Sequence, residues 1–362
     1  MGALRALLAL AVVLSHTGGI YGYVITGGVV AVETFFILSG FLIAMVLSEK
    51  YNFFTDKLIF YRARALRIFV PYYVALVFAV VIALFTQWWS DSGFIAQLRA
   101  LNLSPLTLLG WGISHITVIG QEIPLFLYSP TETKIISAWA IPPAWSISLE
   151  LLFYIVAPFL VRLSTSWLAV LALLSFGARA FGGMLGYSDD PWLYRFLPFE
   201  AVFFIAGILA YRLAPTLNLS KGKKKFLCIS FLLACFLCQP VIFVLKKIGV
   251  PEVLPRWVFY IAAVFVIPIL FQLTRNSKAD AFFANFSYPV YLLHWPIISL
   301  YDSLQPGTNG LIRTLACVVL TFAAAWCLTS WVERPLDRYR HRLSAQRGVL
   351  SRGPTAIPSI TV

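Results

Sequence analysis

Charged residues are scarce in this chain. Asp, Glu, Lys and Arg make up 12% of its 362 residues, and hydrophobic residues make up 60%. Soluble domains carry about 25% charged residues. Apolar runs of about 20 residues, the length that crosses a bilayer, recur along the whole chain. This composition excludes a soluble globular domain and predicts an all-α polytopic membrane protein.

Cysteine is equally sparse, and its positions exclude a disulfide framework. The five cysteines lie inside apolar runs, at Cys228, Cys235, Cys238, Cys317 and Cys327. Two of them form a CxxC pair, but no second ligand pair accompanies it. We expect small apolar packing residues and no metal site.

Acidic residues are outnumbered, with 15 Asp and Glu against 28 Lys and Arg and a net charge of +13. In a membrane protein, basic loops set the orientation and contact anionic lipid. We therefore expect the lipid bilayer, and no nucleic acid, as the partner of this charge.

About ten transmembrane helices are predicted, at 4–24, 28–48, 69–88, 144–162, 166–186, 197–214, 226–245, 256–273, 286–303 and 311–332. The segment 89–143 is interrupted by prolines and is expected to be a long loop with short helices, with 101–119 as a candidate for a further partial span. No internal repeat is visible, which disfavours a transporter built from two related halves.

The distribution of basic residues predicts the orientation of these helices. With the N-terminus in the cytoplasm, 20 of the 28 Lys and Arg residues fall on the cytoplasmic side. This bias predicts a multi-pass protein of the plasma (inner) membrane with both termini cytoplasmic. Residues 1–340 would form the transmembrane domain and 341–362 a disordered cytoplasmic tail. The apolar stretch after Arg5 lacks a clear cleavage site, and we expect it to be retained.

The first predicted span carries two polar side chains, Arg5 and His16. Eleven residues at 100° each place them about 20° apart on one helical face, roughly 16 Å from each other. An imidazole inside a membrane is a natural general base near neutral pH, and it is equally well a structural hydrogen-bond donor.

The fourth span has a polar stripe, in which Ser146, Glu150 and Tyr154 recur every four residues. Such spacing places all three on one face of a helix. Glu33 in the second span is expected at a similar depth. A carboxyl group there needs a partner, a cavity or a function. Three further residues are expected to pair near the outer surface: Arg179, Arg195 and Glu200.

Arg62, Arg64 and Arg67 precede the third span. Guanidinium forks suit phosphate binding, but membrane anchoring explains the same residues. His294 either lines a site or is structural. His115 and His341 are expected to be surface residues.

Seven pieces of sequence carry a family resemblance: Arg5 and His16 with ten residues between them, VETFFILSGFL, RALRIFVPYY, WSISLELLFY, FFIAGILAYRL, SYPVYLLHWPI and WVERP. In this order they resemble the acyltransferase-3 family of bacterial membrane proteins, across about residues 1–340. The resemblance implies transfer of an acyl group, most often acetyl from acetyl-CoA, to a hydroxyl of a sugar or glycoconjugate.

By motif position, the resemblance implies that His16 is the essential histidine and that Arg64 and Arg67 lie at the donor side. Glu150 matches the family's glutamate after the Trp-Ser element and is expected to orient His16. Leu151 and Leu152 stand where the family often has a second acid and Gln. Glu33 stands where Asp is common. The esterase-like domain of many relatives is not expected here.

The resulting hypothesis is a membrane O-acyltransferase that uses acyl-CoA as a substrate and has no bound cofactor. Arg5, Arg62, Arg64 and Arg67 would bind acyl-CoA, and His16 and Glu150 would be catalytic. Four further residues are possible site-lining residues: Glu33, Ser146, Tyr154 and His294. A glycolipid or sugar transporter or flippase could use the same intramembrane polar residues. The acyl group could also be succinyl, propionyl or a branched chain.

Overall fold

We analysed a computed structural model, which describes residues 1–51, 56–86, 95, 98–99, 101–127, 138–308 and 310–339. Its helices are α1 (Gly2–Thr17), α2 (Gly28–Glu49), α3 (Lys57–Thr86), α4 (Pro105–Thr117), α5 (Ile123–Leu127), α6 (Trp145–Leu160), α7 (Thr165–Met184), α8 (Leu197–Leu213), α9 (Lys221–Lys247), α10 (Val253–Thr274), α11 (Lys278–Ala284), α12 (Ser287–Leu304) and α13 (Leu311–Leu328). The tail 341–362 lies outside the described residues.

Eight helical segments of the described chain are long and apolar enough to cross a membrane. They contain α2, α3, α6, α7, α8, α9, α10 and α13. Two further apolar helices, α1 and α12, pack against each other and against α13. These two lie at the remaining predicted spans but are not among the eight segments. The prediction of an all-α polytopic membrane protein is confirmed, and the count of ten spans stays a prediction.

Two predicted spans have different ends in the structure. The first was expected to run to residue 24, but α1 ends at Thr17. Gly18 and Gly19 have φ values of 87° and 75°, a left-handed conformation that glycine adopts without steric penalty and that ends a helix. The third span was expected from residue 69, but α3 begins at Lys57 and runs for 30 residues. The three arginines before residue 69 are therefore helical.

The segment between α3 and α6 contains the short helices α4 and α5 among its described residues. The 13 residues of α4 extend about 20 Å, less than the roughly 30 Å of a hydrocarbon core. His115, expected at the surface, is buried. Its Nδ1 lies 2.9 Å from the Trp111 carbonyl, and its Nε2 accepts from the Ala140 N–H. His341 lies outside the described residues.

The centre of the bundle depends on a close approach of α2 and α8. A Cβ atom on Gly40 would lie 2.0 Å from the Phe204 carbonyl oxygen, and one on Gly207 would lie 2.1 Å from the Ile37 carbonyl oxygen. Small residues permit such contact between membrane helices. The contact explains the glycines of LSGFL and FFIAGILA and brings the polar face of α2 beside α6.

Candidate active site

Both ends of α1, the helix that carries Arg5 and His16, are fixed by hydrogen bonds. At its start, the Gly2 and Ala3 N–H groups donate to the Asp280 carboxylate, at 2.8 and 3.0 Å. Burial alone would raise the pKa of Asp280, but hydrogen bonds from the first residues of α1 hold it below its ordinary value. At its end, Arg313 donates to the Thr17 carbonyl oxygen at 2.8 Å.

A cavity lies between α1, α2, α3, α6 and α12. Arg5 lines it from α1, which places the cavity on the polar face of that helix. Its other polar lining residues are Ser39, Arg64, Arg67, Ser146, Glu150, Tyr154, Ser287, Tyr288 and Tyr291. We call the end that holds Arg5, Arg64 and Arg67 the arginine end. We call the end at Tyr291 the histidine end, because His294 and His16 lie beyond it, outside the cavity lining.

Three guanidinium groups face the cavity at its arginine end. Arg64 and Arg67 are 6% and 9% exposed, and Arg5 lies within electrostatic reach of Arg67 and Glu150. None of the ion pairs found among the described residues includes these three arginines. Buried charges are ordinarily paired. The arrangement is therefore suited to an anionic ligand.

Arg62 differs from its two neighbours. Its side chain is exposed, and it does not line the cavity. At 100° per residue, Arg62 lies about 160° around α3 from Arg64, whereas Arg67 lies only about 60° away. Helical geometry thus separates one arginine from the other two.

The wall opposite the arginines is the polar stripe of α6. Ser146, Glu150 and Tyr154 all line the cavity. Ser39 Oγ donates to Glu150 Oε1 at 2.6 Å, and the Tyr154 hydroxyl donates to the same oxygen. Glu150 is thus held by α2 and α6, and no hydrogen bond between described residues joins it to His16.

At the histidine end, aromatic rings continue from the cavity towards His16. Tyr291 lines the cavity, and its hydroxyl is hydrogen-bonded to Ser146 Oγ at 2.6 Å. The Tyr291 and His294 ring centroids are 5.8 Å apart, and the His294 and His16 centroids are 5.2 Å apart. Trp295 contacts His16 edge-on at 5.1 Å. His16 itself is exposed, whereas His294 is buried.

Glu33 belongs to a separate cluster and does not line the cavity. Its Oε1 accepts from Arg179 at 2.6 Å, and Arg179 also pairs with Glu200 at 2.5 Å. The Tyr260 hydroxyl donates to Glu33 Oε2. Glu33 and Ser39 are about 120° apart around α2, so they face different neighbours. The expected pairing of Arg179 with Glu200 is confirmed, whereas Arg195 pairs with Asp190 at 2.5 Å.

Four polar residues that line the cavity were not identified from the sequence: Ser39, Ser287, Tyr288 and Tyr291. A signal for Ser287 and Tyr291 was present, because they recur with His294 at positions i, i+4 and i+7 of α12 and so share a face. Ser39 had no such signal, since its partner Glu150 is 111 residues away. In the part of the chain that the structure describes, no three His, Cys, Asp or Glu side chains converge as metal ligands.

Known proteins resemble this chain over most of its length. Residues 1–330 match the family described as Acyltransferase domain (Acyl_transf_3). The chain is 23% identical to the O-acetyltransferase OatA of Staphylococcus aureus over 365 positions, which cover 93% of this chain and 57% of OatA. It is 21% identical over 208 residues to an uncharacterized protein of Aquifex aeolicus, covering 57% of this chain and 92% of that protein. No solved structure matches.

The chain thus spans just over half the length of OatA. The matched region contains α1–α13 and every polar residue that lines the cavity. Since the match extends over residues 1–330 of 362, this protein belongs to the Acyl_transf_3 acyltransferase family.

Proposed function

We propose that this protein is an O-acyltransferase that moves an acyl group, specifically acetyl, from cytoplasmic acyl-CoA to a hydroxyl of a carbohydrate or glycoconjugate. The observation that carries the proposal is the cavity. It has three buried or half-buried arginines without ion-pair partners among the described residues at one end. Beyond Tyr291 at its other end, the ring of His294 stacks on that of His16.

The arginine end suits the donor. CoA carries phosphate groups, which guanidinium groups bind through paired hydrogen bonds. Arg64 and Arg67 offer such groups on one face of α3. A smaller cavity shares Arg5 and Leu42 with the main one and is also lined by Arg275. The two cavities together offer a basic entrance and an interior passage for the acyl-pantetheine arm.

The histidine end suits the chemistry. His16 takes the proton of the acceptor hydroxyl, and the oxygen attacks the thioester carbonyl carbon. The carbon–sulfur bond then breaks, and the proton ends on the CoA thiol, so that one ester and one free thiol are formed. The exposure of His16 supports an acceptor that arrives from the histidine end, opposite the donor.

The contacts of Glu150 support a role on the donor side. Its carboxylate is bonded to Ser39 and Tyr154 and lies within electrostatic reach of Arg5. The Glu150 carboxylate at this position orients the arginine side chains that contact the donor. We therefore propose that Glu150 positions the donor-binding arginines and does not act directly on His16.

The decisive experiment uses the full chain reconstituted in liposomes with [¹⁴C]acetyl-CoA and a carbohydrate fraction of the host envelope. Transfer of label to carbohydrate, with equimolar release of CoA thiol, is the expected result. A transporter or flippase would move glycolipid between leaflets without consuming acetyl-CoA, and that outcome would overturn the proposal. Parallel reactions with propionyl- and succinyl-CoA identify the acyl group.

Sidedness is tested by cysteine labelling in intact cells. Tyr21, which follows α1, is 88% exposed, and Lys223 is exposed in the first turn of α9. An impermeant maleimide added outside should modify Tyr21→Cys and spare Lys223→Cys, with the unsubstituted protein as background. The reverse pattern would place the arginine end outside and contradict a cytoplasmic donor.

A further inference from the structure

The protonation of the His294 ring follows from its surroundings. Its side chain is 0% exposed, and Nδ1 lies 2.7 Å from the Tyr291 carbonyl oxygen. A carbonyl oxygen only accepts hydrogen bonds, so Nδ1 carries the proton and Nε2 presents a lone pair. Among the described residues, Nε2 has no hydrogen-bond partner. A buried acceptor without a partner is unfavourable and indicates a function.

The neighbour of that ring is His16. The two rings stack with centroids 5.2 Å apart and planes 29° apart. The guanidinium charge of Arg195, which also contacts Asp190, Trp145 and Tyr194, acts on the His16 ring. Protonation of His16 during the reaction places a second positive charge beside that of Arg195. A hydrogen-bond acceptor close to the His16 ring would stabilise this protonated form. No hydrogen bond joins His16 to the Nε2 of His294 in the stacked arrangement, so the His16 ring has to rotate before its N–H can donate to that lone pair.

On the basis of the proposed function, we propose that His294 is a positioning residue for His16. When His16 takes the proton of the acceptor hydroxyl, its second N–H donates to Nε2 of His294, which holds the imidazolium until the proton passes to the leaving CoA thiolate. His294 gains and loses no proton in this step. It has the orienting role that a carboxylate has in a Ser-His-Asp triad.

Substitution at residue 294 separates this role from ring packing. His294→Phe keeps a flat ring beside His16 and removes the acceptor. His294→Gln loses the ring but keeps a side-chain carbonyl that accepts a hydrogen bond. The matched controls are His115→Phe and His115→Gln, because His115 is also buried but both of its nitrogens have partners.

The experiment measures kcat and the KM for acetyl-CoA in liposomes for these four variants. We expect His294→Phe to lower kcat by about 10²-fold with KM within about twofold, and His294→Gln to recover about tenfold of that loss. The His115 pair should retain the kcat of the unsubstituted protein. Equal losses in His294→Phe and His294→Gln, or unchanged kcat in His294→Phe, would overturn the proposal. An unsubstituted protein without transfer activity would instead refute the proposed function.

A second measurement does not depend on activity or on the folding of a variant. The chain has four histidines, so ¹⁵N-histidine NMR spectra of the reconstituted protein can be assigned by single substitutions. The expected His294 signals are those of a protonated Nδ1 and an unprotonated Nε2. If Nε2 is protonated instead, it cannot accept a hydrogen bond from His16, and the proposal is wrong.

Discussion

Two clusters of charged residues lie inside this membrane bundle, and they are built in opposite ways. The open cluster, formed by Arg5, Arg64, Arg67 and Glu150, lines the cavity, and its guanidinium groups have no ion-pair partners among the described residues. The closed cluster, formed by Glu33, Arg179, Glu200 and Tyr260, is joined by ion pairs and a tyrosine hydrogen bond.

The difference indicates what each cluster does. A charge in a membrane interior is unfavourable unless it is paired or faces a cavity. In the closed cluster, one arginine joins two carboxyl groups and ties α2, α7, α8 and α10 together. In the open cluster, three cations and one carboxylate line the cavity, and an anionic donor bound there would balance the excess positive charge of its wall. We expect substitutions in the open cluster and at the histidines to affect activity, and those in the closed cluster to affect stability.

The largest effect is expected at His16, which stacks on His294 beyond the end of the cavity. His16→Ala should lower transfer by at least about 10³-fold, because it removes the proposed general base. The apparent Tm in detergent should remain close to that of the unsubstituted protein, since the side chain is exposed. Initial rates in liposomes and a melting curve provide the measurement. Full activity in folded His16→Ala would contradict the proposed mechanism.

Arg179→Leu is the corresponding test of the closed cluster. Removing the shared cation leaves Glu33 and Glu200 buried together, and breaking a buried pair in this way destabilises a protein by about 3–5 kcal/mol. The apparent Tm should therefore fall clearly. Glu200→Gln is the control, because it keeps an acceptor for Arg179 and leaves one carboxylate beside it. Equal melting temperatures for Arg179→Leu and the unsubstituted protein would contradict a stabilising role of the closed cluster.

Glu150→Gln should have the next largest effect on activity. The amide keeps an acceptor for Ser39 and Tyr154 but loses the charge, and misplacement of the donor by about 1 Å can lower a rate by about 10²-fold. Because Ser39 contacts Glu150 directly, the effects of Glu150→Gln and Ser39→Ala should be non-additive. If the two effects on the rate add in the double variant, Ser39 and Glu150 act independently, which would contradict this prediction.

The smallest effect is expected from Arg64→Lys and Arg67→Lys. Lysine keeps the positive charge but lacks the guanidinium fork, so the KM for acetyl-CoA should rise by about tenfold while kcat changes little. Arg62→Lys is the matched control, because Arg62 is exposed and lies off the cavity wall. If all three lysine variants have the same KM, the arginines only anchor the helix in the membrane.

Much of this architecture could be predicted without coordinates, because it depends on local periodicity. Ten helices followed from apolar run length, and the cavity stripe of Ser146, Glu150 and Tyr154 followed from four-residue spacing. The helix boundaries were less predictable. The end of α1 was set by the conformation of Gly18 and Gly19, and α3 extended towards its N-terminus through a basic segment that resembled a loop.

The amino-acid sequence by itself determined which residues share a helical face, since 100° per residue is a property of the chain. Only the tertiary structure decided which faces meet. It placed Glu33 with Arg179 and away from the cavity, bonded Glu150 to Ser39, and stacked His294 on His16. The physical reason is that hydrogen bonds, ion pairs and ring contacts act over a few ångströms, and the residues they join here are up to 278 positions apart in the chain.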